Sequence, residues 1–104
     1  MPNMAKLLLP GDGPQPTEVL GRVVRARREA LGISQEAYAE RASLSRTYVS
    51  RVERGESNLT LLGLYRIATG LGMDTEALLA DVNEVLAAER PGLAAAIRRG
   101  RIDP

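Results

Sequence analysis

The segment of residues 45–55 constrains the fold of this chain more than any other. It begins with a residue that favours the start of a helix and ends with one that favours its termination. The Ser45 hydroxyl can accept from the free N–H groups of a first turn, and Gly55 suits the left-handed residue after a last turn. At about 100° per residue, Val49 and Val52 fall on one face, with Tyr48 beside them. The segment therefore predicts a short amphipathic helix, called helix 3.

The opposite face of helix 3 is long, polar and cationic, and no residue on it is a carboxylate. Its members are Arg46, Thr47, Ser50, Arg51 and Arg54. Arginine can fork onto guanine acceptors or hold phosphate, and threonine offers both a hydroxyl and a methyl group to a base edge. A polar helix face is most often only solvated, so the neighbouring sequence must decide between solvation and contact with DNA.

Four more helices are predicted around helix 3 from caps, glycine stops and apolar spacing. They are expected at about residues 18–31 with Thr17 as cap, 35–42 with Ser34 as cap, 61–71 with Thr60 as cap, and 75–88 starting near Asp74. The predicted fold is all-α, a compact bundle of five helices with a possible short extra C-terminal helix at residues 93–99. Helices 2 and 3 are joined by a short turn, which matches the helix-turn-helix pattern.

Composition excludes several classes of function. The 104 residues suit one domain, and they include no Cys and no His. Disulfides, zinc knuckles and thiol chemistry are therefore excluded, and the commonest general base is missing. Because no carboxylate pair or phosphate-binding glycine loop stands out, we expect no enzyme activity, metal or cofactor. No apolar run approaches the roughly 20 residues of a membrane span, and a cytoplasmic location is expected.

Charge is unevenly distributed along the chain. Residues 17–72 contain nine arginines and six glutamates, a net charge of +3, whereas residues 73–104 contain four arginines and six acidic residues, a net charge of −2. The basic part includes helix 3. This asymmetry supports an anionic partner for the first part of the chain.

The chain resembles a known family at the residues just described. The segment Gly32-Ile33-Ser34-Gln35-Glu36, then Ala39, then residues 44–55 is similar to the phage repressor and Cro-like helix-turn-helix family, also called XRE. The run at residues 46–50 especially resembles the controller proteins of restriction-modification systems. The resemblance covers about residues 18–80.

This resemblance implies a role for individual residues. It implies base-edge contacts for Arg46, Thr47 and Arg51, with Ser50 close enough to help, and a backbone or base contact for Tyr48. Phosphate contacts are expected from Gln35, Arg54 and Asn58, and a buried or half-buried ion pair between Arg28 and Glu53 is expected to tie helix 1 to helix 3. Two residues depart from the family pattern: Ser43 stands where glycine is common, and Tyr38 replaces the usual leucine.

Three segments are assigned from these patterns. Residues 1–16, rich in proline and glycine, are predicted to be a flexible N-terminal arm. Residues 17–88 form the predicted DNA-binding domain including a dimerisation helix, and residues 89–104 a C-terminal tail. Helix 5 carries a broad apolar stripe that predicts a dimer interface, with internal packing as the alternative. The stripe consists of Leu78, Leu79, Val82, Val85 and Leu86.

The expected function is that of a homodimeric transcription regulator with helix 3 in the major groove of a near-palindromic operator. Repression could come from blocking RNA polymerase, and activation from touching it. Two alternatives stay open: the antitoxin of a toxin–antitoxin pair, with residues 1–16 or 89–104 binding the toxin protein, and a protein-interaction module on the same fold whose DNA-binding face is idle.

Overall fold

The structure is a computed structural model and describes residues 8–102. Every regular element in that range is an α-helix, in the order α1 (Pro16–Ala30), α2 (Gln35–Ala42), α3 (Arg46–Glu53), α4 (Leu61–Gly70), α5 (Thr75–Glu89) and α6 (Pro91–Arg99). The all-α prediction is confirmed. The five predicted helices are present, and the extra C-terminal helix is α6.

The helices enclose one continuous core. Helix α1 packs against α3 and α5, α2 packs against α3 and α4, and α5 also contacts α4 and α6. The close approach of α1 to α3 depends on Gly21, because a Cβ atom there would lie 2.7 Å from the carbonyl oxygen of Glu53. The largest fully buried side chains are Tyr38, Ile67, Leu78, Val19, Val24 and Val49.

Tyr38 fills the centre of the bundle. Its hydroxyl donates to the carbonyl oxygen of Ile67 at 2.7 Å. This hydrogen bond satisfies the buried hydroxyl, a polar group that the usual leucine lacks. Gly70 makes room for the ring, since a Cβ atom at position 70 would lie 2.6 Å from Tyr38 Cε1. Burial raises the pKa of the Tyr38 phenol far above its usual value. The core is thus repacked around a phenol.

Helix α1 begins two residues earlier than predicted, and Thr17 is not its cap. Its first residue is Pro16, a position where proline costs no hydrogen bond. The preceding Gln15 provides no side-chain cap, because its amide is used elsewhere: Oε1 accepts from the Leu9 N–H at 2.9 Å, and Nε2 donates to the Leu9 carbonyl at 3.0 Å.

The N-terminal arm prediction needs correction for residues 8–16. Arg90 is buried and donates from Nη1 to the Pro14 carbonyl at 3.2 Å and from Nη2 to the Pro10 carbonyl at 2.5 Å. Leu9 packs against the core. Residues 8–15 lack a helix of their own, but this arginine fixes two of their carbonyls. Residues 1–7 of the predicted arm lie outside the described residues.

The predicted C-terminal tail is also part of the bundle as far as the end of α6 at Arg99. Helix α6 follows α5 almost directly and buries Leu93 and Ala96. Residues 103 and 104 lie outside the described residues.

This arrangement corrects the dimer prediction for α5. Leu78, Val82 and Leu86 are 0%, 4% and 3% exposed within a single chain. The prediction that these three residues face a second subunit is therefore wrong, and the internal-packing alternative applies to them. The stripe was broader than a four-helix core requires because α5 packs against α6 as well as against α1 and α4. Val85 is half-buried, and only Leu79 is exposed.

Candidate nucleic-acid interface

Helix α3 has the two faces that the sequence predicts. Val49 and Val52 are buried against the bundle. The outward side chains of Arg46, Thr47 and Arg51 are exposed. Together with the half-buried Ser50 and the exposed Arg54, the first two line a shallow depression of about 280 Å³. These five predicted contact residues therefore lie on one solvent-facing surface.

Local chemistry sets the angle between α2 and α3. Ser34 Oγ accepts from the Ala37 N–H and Ser45 Oγ accepts from the Tyr48 N–H, both at 3.1 Å, so each helix has the predicted cap. Between them Ser43 adopts the left-handed conformation with φ 56°. This is the glycine-like conformation suggested by the family resemblance, and helix packing must offset its cost of about 1–2 kcal/mol.

A buried ion pair fixes the inner side of the interface. Arg28 donates from Nε to Glu53 Oε2 at 2.6 Å and from Nη2 to Oε1 at 3.0 Å, while its Nη1 donates to the Ile33 carbonyl at 2.8 Å. The side chains are 12% and 3% exposed. The hydrogen bond to Glu53 raises the pKa of Arg28 further. The structure thus contains the predicted Arg28–Glu53 pair, which ties α1 to the end of α3.

Gln35 extends this network. Its Nε2 donates to Glu53 Oε1 at 3.1 Å. A primary amide has two hydrogens, so one remains to donate to a phosphate at the start of α2. The structure brings Gln35 to the edge of the interface and holds its side chain through the same carboxylate that anchors α3.

Tyr48 and Asn58 occupy the other edge. Tyr48 is half-buried, and its hydroxyl covers Gly63 so closely that a Cβ atom there would collide with it. Its ring therefore packs between α3 and α4. Only the exposed part of the side chain can make the predicted DNA contact. Asn58 is exposed in the loop that follows α3.

Two carboxylates that the sequence reasoning missed lie beside the cationic side chains. Glu36 Oε1 is 3.5 Å from Arg46 Nε. Glu56 Oε2 is 3.0 Å from Arg54 Nη2, and Arg54 Nη1 donates to Ser50 Oγ at 2.5 Å. The hydrogen bond from Arg54 lowers the pKa of Glu56. Helix α3 has no acidic residue on its outward face, but α2 and the following loop supply two. In the sequence, only their positions next to Gln35 and Gly55 indicated that these carboxylates could lie near the cationic face.

Two structural features are absent from the described residues. Within residues 8–102 no group of acidic side chains is arranged to hold a metal ion. No helix in this range is both long enough and apolar enough to cross a bilayer.

Comparison with known proteins identifies the family. A family model described as helix-turn-helix matches residues 24–78. The chain is 35% identical over 63 residues to the Control protein C.MunI of Mycoplasma sp, which covers 61% of this chain and 85% of that protein. It is 42% identical over 62 residues to the Control protein C.SmaI of Serratia marcescens, and this match covers 60% of this chain and 74% of that protein.

A solved structure agrees with these relatives. The restriction-modification controller protein C.AhdI from Aeromonas hydrophila matches with a TM-score of 0.57 and 37% identity, over 60% of this chain and 94% of that one. The chain therefore belongs to the helix-turn-helix family, of the XRE type. It is a DNA-binding transcription regulator of that family.

Proposed function

We propose that this chain is a controller-type regulator that binds a near-palindromic operator as a homodimer, with α3 of each subunit in a major groove. The observation that carries the proposal is the exposed face of Arg46, Thr47 and Arg51 on a helix fixed from behind by Glu53. Two-fold symmetry would place the half-sites about 34–36 Å apart.

The relatives support this role. Two curated relatives are named control proteins, and two solved neighbours are restriction-modification controller proteins. Solved variants of one of them, C.Esp1396I, replace an arginine, a threonine and a tyrosine at three successive positions by alanine. This chain has the same residue types in the same order at positions 46–48.

Phosphate contacts would set the register of the complex. Gln35 has an amide hydrogen to donate, and Arg54 would exchange Glu56 for a phosphate oxygen. Asn58 lies in the loop where a further contact is expected. Each cation that replaces a counterion makes affinity fall with salt. An operator complex should therefore weaken steeply between low and high salt.

The first test is selection of binding sites from random duplex DNA at two salt concentrations. A two-fold symmetric consensus with a steep salt dependence is the expected result. Weak binding without a consensus would contradict the proposal and would instead support the protein-interaction alternative, in which this face is idle.

Arg51 provides the sharpest point test, because its side chain has no ion pair or hydrogen bond within residues 8–102 and is free to reach a base. Arg51→Ala should weaken operator binding by about 1–3 kcal/mol and relax the preference at one base pair. Fluorescence anisotropy with the four variants of that base pair measures both effects. Arg99→Ala on α6, equally a loss of one exposed cation, is the control and should leave the base preference unchanged.

For the dimer, the exposed apolar side chains are the candidates that remain. Leu61, Leu62 and Tyr65 of α4 are 72%, 59% and 56% exposed, and Leu79 of α5 is 40% exposed. Tyr65 lines a pocket with the first turn of α5, so α4 and this end of α5 share one surface. We infer that this surface, rather than the buried part of the α5 stripe, meets the second subunit.

Sedimentation equilibrium tests this surface. The double variant Tyr65→Glu and Leu79→Glu should dissociate to monomers and lose operator affinity, because it would place four charges in a closed apolar interface. Ile97→Glu on α6 is matched for exposure, since Ile97 is 47% exposed. A dimer that persists in the double variant but dissociates in Ile97→Glu would assign the interface to α6.

The antitoxin alternative has less support. It relied on residues 1–16 or 89–104 to bind a toxin. Arg90 bonds to the carbonyls of Pro10 and Pro14, and Leu93 and Ala96 of α6 are buried in the bundle, so part of both segments is already occupied.

A further inference from the structure

The carboxylate of Glu36 lies next to Arg46, one of the residues predicted to contact bases. It stands in the first turn of α2, and its Oε1 reaches across the turn to within 3.5 Å of Arg46 Nε, at the start of α3. Both side chains are well exposed. This ion pair connects the two helices on their outward side, opposite the buried pair between Arg28 and Glu53.

The geometry leaves Arg46 able to bind a base while it stays paired. A guanidinium group has five N–H donors in a planar fork, and Glu36 approaches the Nε side. Within residues 8–102 Arg46 has no other ion pair or hydrogen bond, so its Nη1 and Nη2 groups are available for the two acceptors of guanine. Arg54 differs, because both of its terminal nitrogens are engaged, by Ser50 and Glu56.

We propose that Glu36 is a positioning residue that orients the guanidinium group of Arg46 and so sets the preference at the base pair Arg46 contacts. This inference rests on the proposed operator binding. An exposed ion pair contributes little to folding stability. Its effect here is on orientation, since a carboxylate near Nε favours positions of the guanidinium group in which Nη1 and Nη2 stay available to the edge of one base pair.

Glu36 also has a second, separable effect. Its negative charge would lie close to DNA phosphates and oppose binding to every sequence, whereas orientation of Arg46 matters only at one base pair. A variant that removes the charge therefore strengthens general binding while it weakens one specific preference. General electrostatics alone would change all sequences alike.

The experiment compares Glu36→Gln with Glu40→Gln on the selected operator. Glu40 is exposed one turn further along α2 and has no cationic partner within residues 8–102, so the two variants lose the same charge from the same helix. Arg46→Ala first identifies the base pair concerned. Competition binding then measures the relative affinity for all four base pairs at every operator position and for an unrelated duplex.

Glu36→Gln should reduce the preference at the Arg46 base pair by about threefold to tenfold, within the range that one bidentate contact contributes, and leave other positions unchanged. Its affinity for the unrelated duplex should rise by about twofold to fivefold through reduced repulsion. Glu40→Gln should keep the preference at every position. In an Arg46→Ala background, Glu36→Gln should have no further effect at that base pair.

Four outcomes would overturn the inference. An unchanged preference in Glu36→Gln, or an equal change at every position, would show that Glu36 does not act through Arg46. A full effect that persists in the Arg46→Ala background would show the same. If the wild-type protein selects no operator, the proposed function fails and the inference with it, whereas the first three outcomes leave the proposed function intact.

Discussion

Glu53 connects three parts of the protein through one carboxylate. It accepts two hydrogen bonds from Arg28 of α1 and one from Gln35 of α2, and it is itself the last residue of α3. Because the group is almost fully buried, its partners cannot be replaced by water. One side chain therefore links α3 to both α1 and α2.

Removing that carboxylate should destabilise the fold strongly. Glu53→Gln leaves Arg28 buried without a counter-charge, which costs about 3–5 kcal/mol, and urea unfolding measures the loss. Glu29→Gln is the control, since Glu29 pairs with Arg25 on the exposed side of α1, and a surface pair contributes about 0–1 kcal/mol. Equal losses in both variants would show that the buried pair has no special role.

The buried phenol of Tyr38 leads us to expect that the free energy of unfolding falls at alkaline pH. Burial raises the pKa of its phenol in the folded state, so folding favours the neutral form. The associated stability is fully present below the unfolded pKa of about 10 and is lost as pH rises above it. The free energy of unfolding should therefore fall more steeply above pH 10 in the wild type than in Tyr38→Phe.

Urea unfolding at a series of pH values from 8 to about 11 checks this. Tyr38→Phe should be less stable at pH 8 by about 0.5–1.5 kcal/mol, because the hydrogen bond to the Ile67 carbonyl is lost. That difference should shrink above pH 10. Parallel pH profiles for the two proteins would rule out Tyr38 as the titrating group.

At the scale of elements, the contact between α1 and α3 is made by backbone as much as by side chains. A Cβ atom at Gly21 would collide with the Val52 carbonyl oxygen and lie 2.7 Å from that of Glu53. Gly21→Ala should therefore push α3 away from α1 and destabilise the protein by about 1–3 kcal/mol, as overpacking does.

Gly92 is the matched helical glycine. It lies in the first turn of α6, and a Cβ atom there would meet nothing within 4 Å. Gly92→Ala should stabilise the protein by about 0.5–1 kcal/mol through its effect on backbone entropy. Thermal unfolding of the two variants should thus shift in opposite directions. A stable Gly21→Ala protein would show that the two helices can separate freely.

These elements also show what could be predicted from the sequence. The starts of α2, α3 and α4 were predictable, because Ser34, Ser45 and Thr60 bond to N–H groups three residues away. The start of α1 was not, because Gln15 bonds to Leu9 instead.

Long-range pairings were harder to predict. The face of helix α3 follows from its period, but the carboxylate of Glu36 reaches it only through the angle of the turn. The burial of the α5 stripe depends on α6, whose docking leaves no periodic signal in α5 itself. The DNA contacts could therefore be predicted from the local sequence pattern, whereas the ion pairs around them depend on tertiary structure.

At the scale of the whole molecule, Arg90 holds the first described residues against the last two helices. Arg90→Met should release the carbonyls of Pro10 and Pro14, and hydrogen exchange of residues 8–15 should accelerate. Mass spectrometry of exchanged peptides measures this directly. Arg22→Met is the control, because Arg22 forms an exposed pair with Glu89, next in the chain to Arg90. Unchanged exchange in Arg90→Met would show that other contacts hold the segment.

Helices α3 and α5 both pack against α1, and the difference in their charges has a consequence for the proposed approach to DNA. Helix α3 presents arginines outward, whereas α5 contains four acidic and no basic residues. With a formal net charge of only +1, the whole chain is attracted only weakly to a polyanion. Asp81 and Glu89 of α5 pair with arginines of α1, but the remaining uneven charge would exert a torque on the molecule near DNA. Because the screening length is about 10 Å at 0.1 M salt, shorter than the 40 × 32 × 20 Å molecule, this torque acts only in the last stage of approach. In the proposed operator complex it would turn α3 towards the duplex before contact.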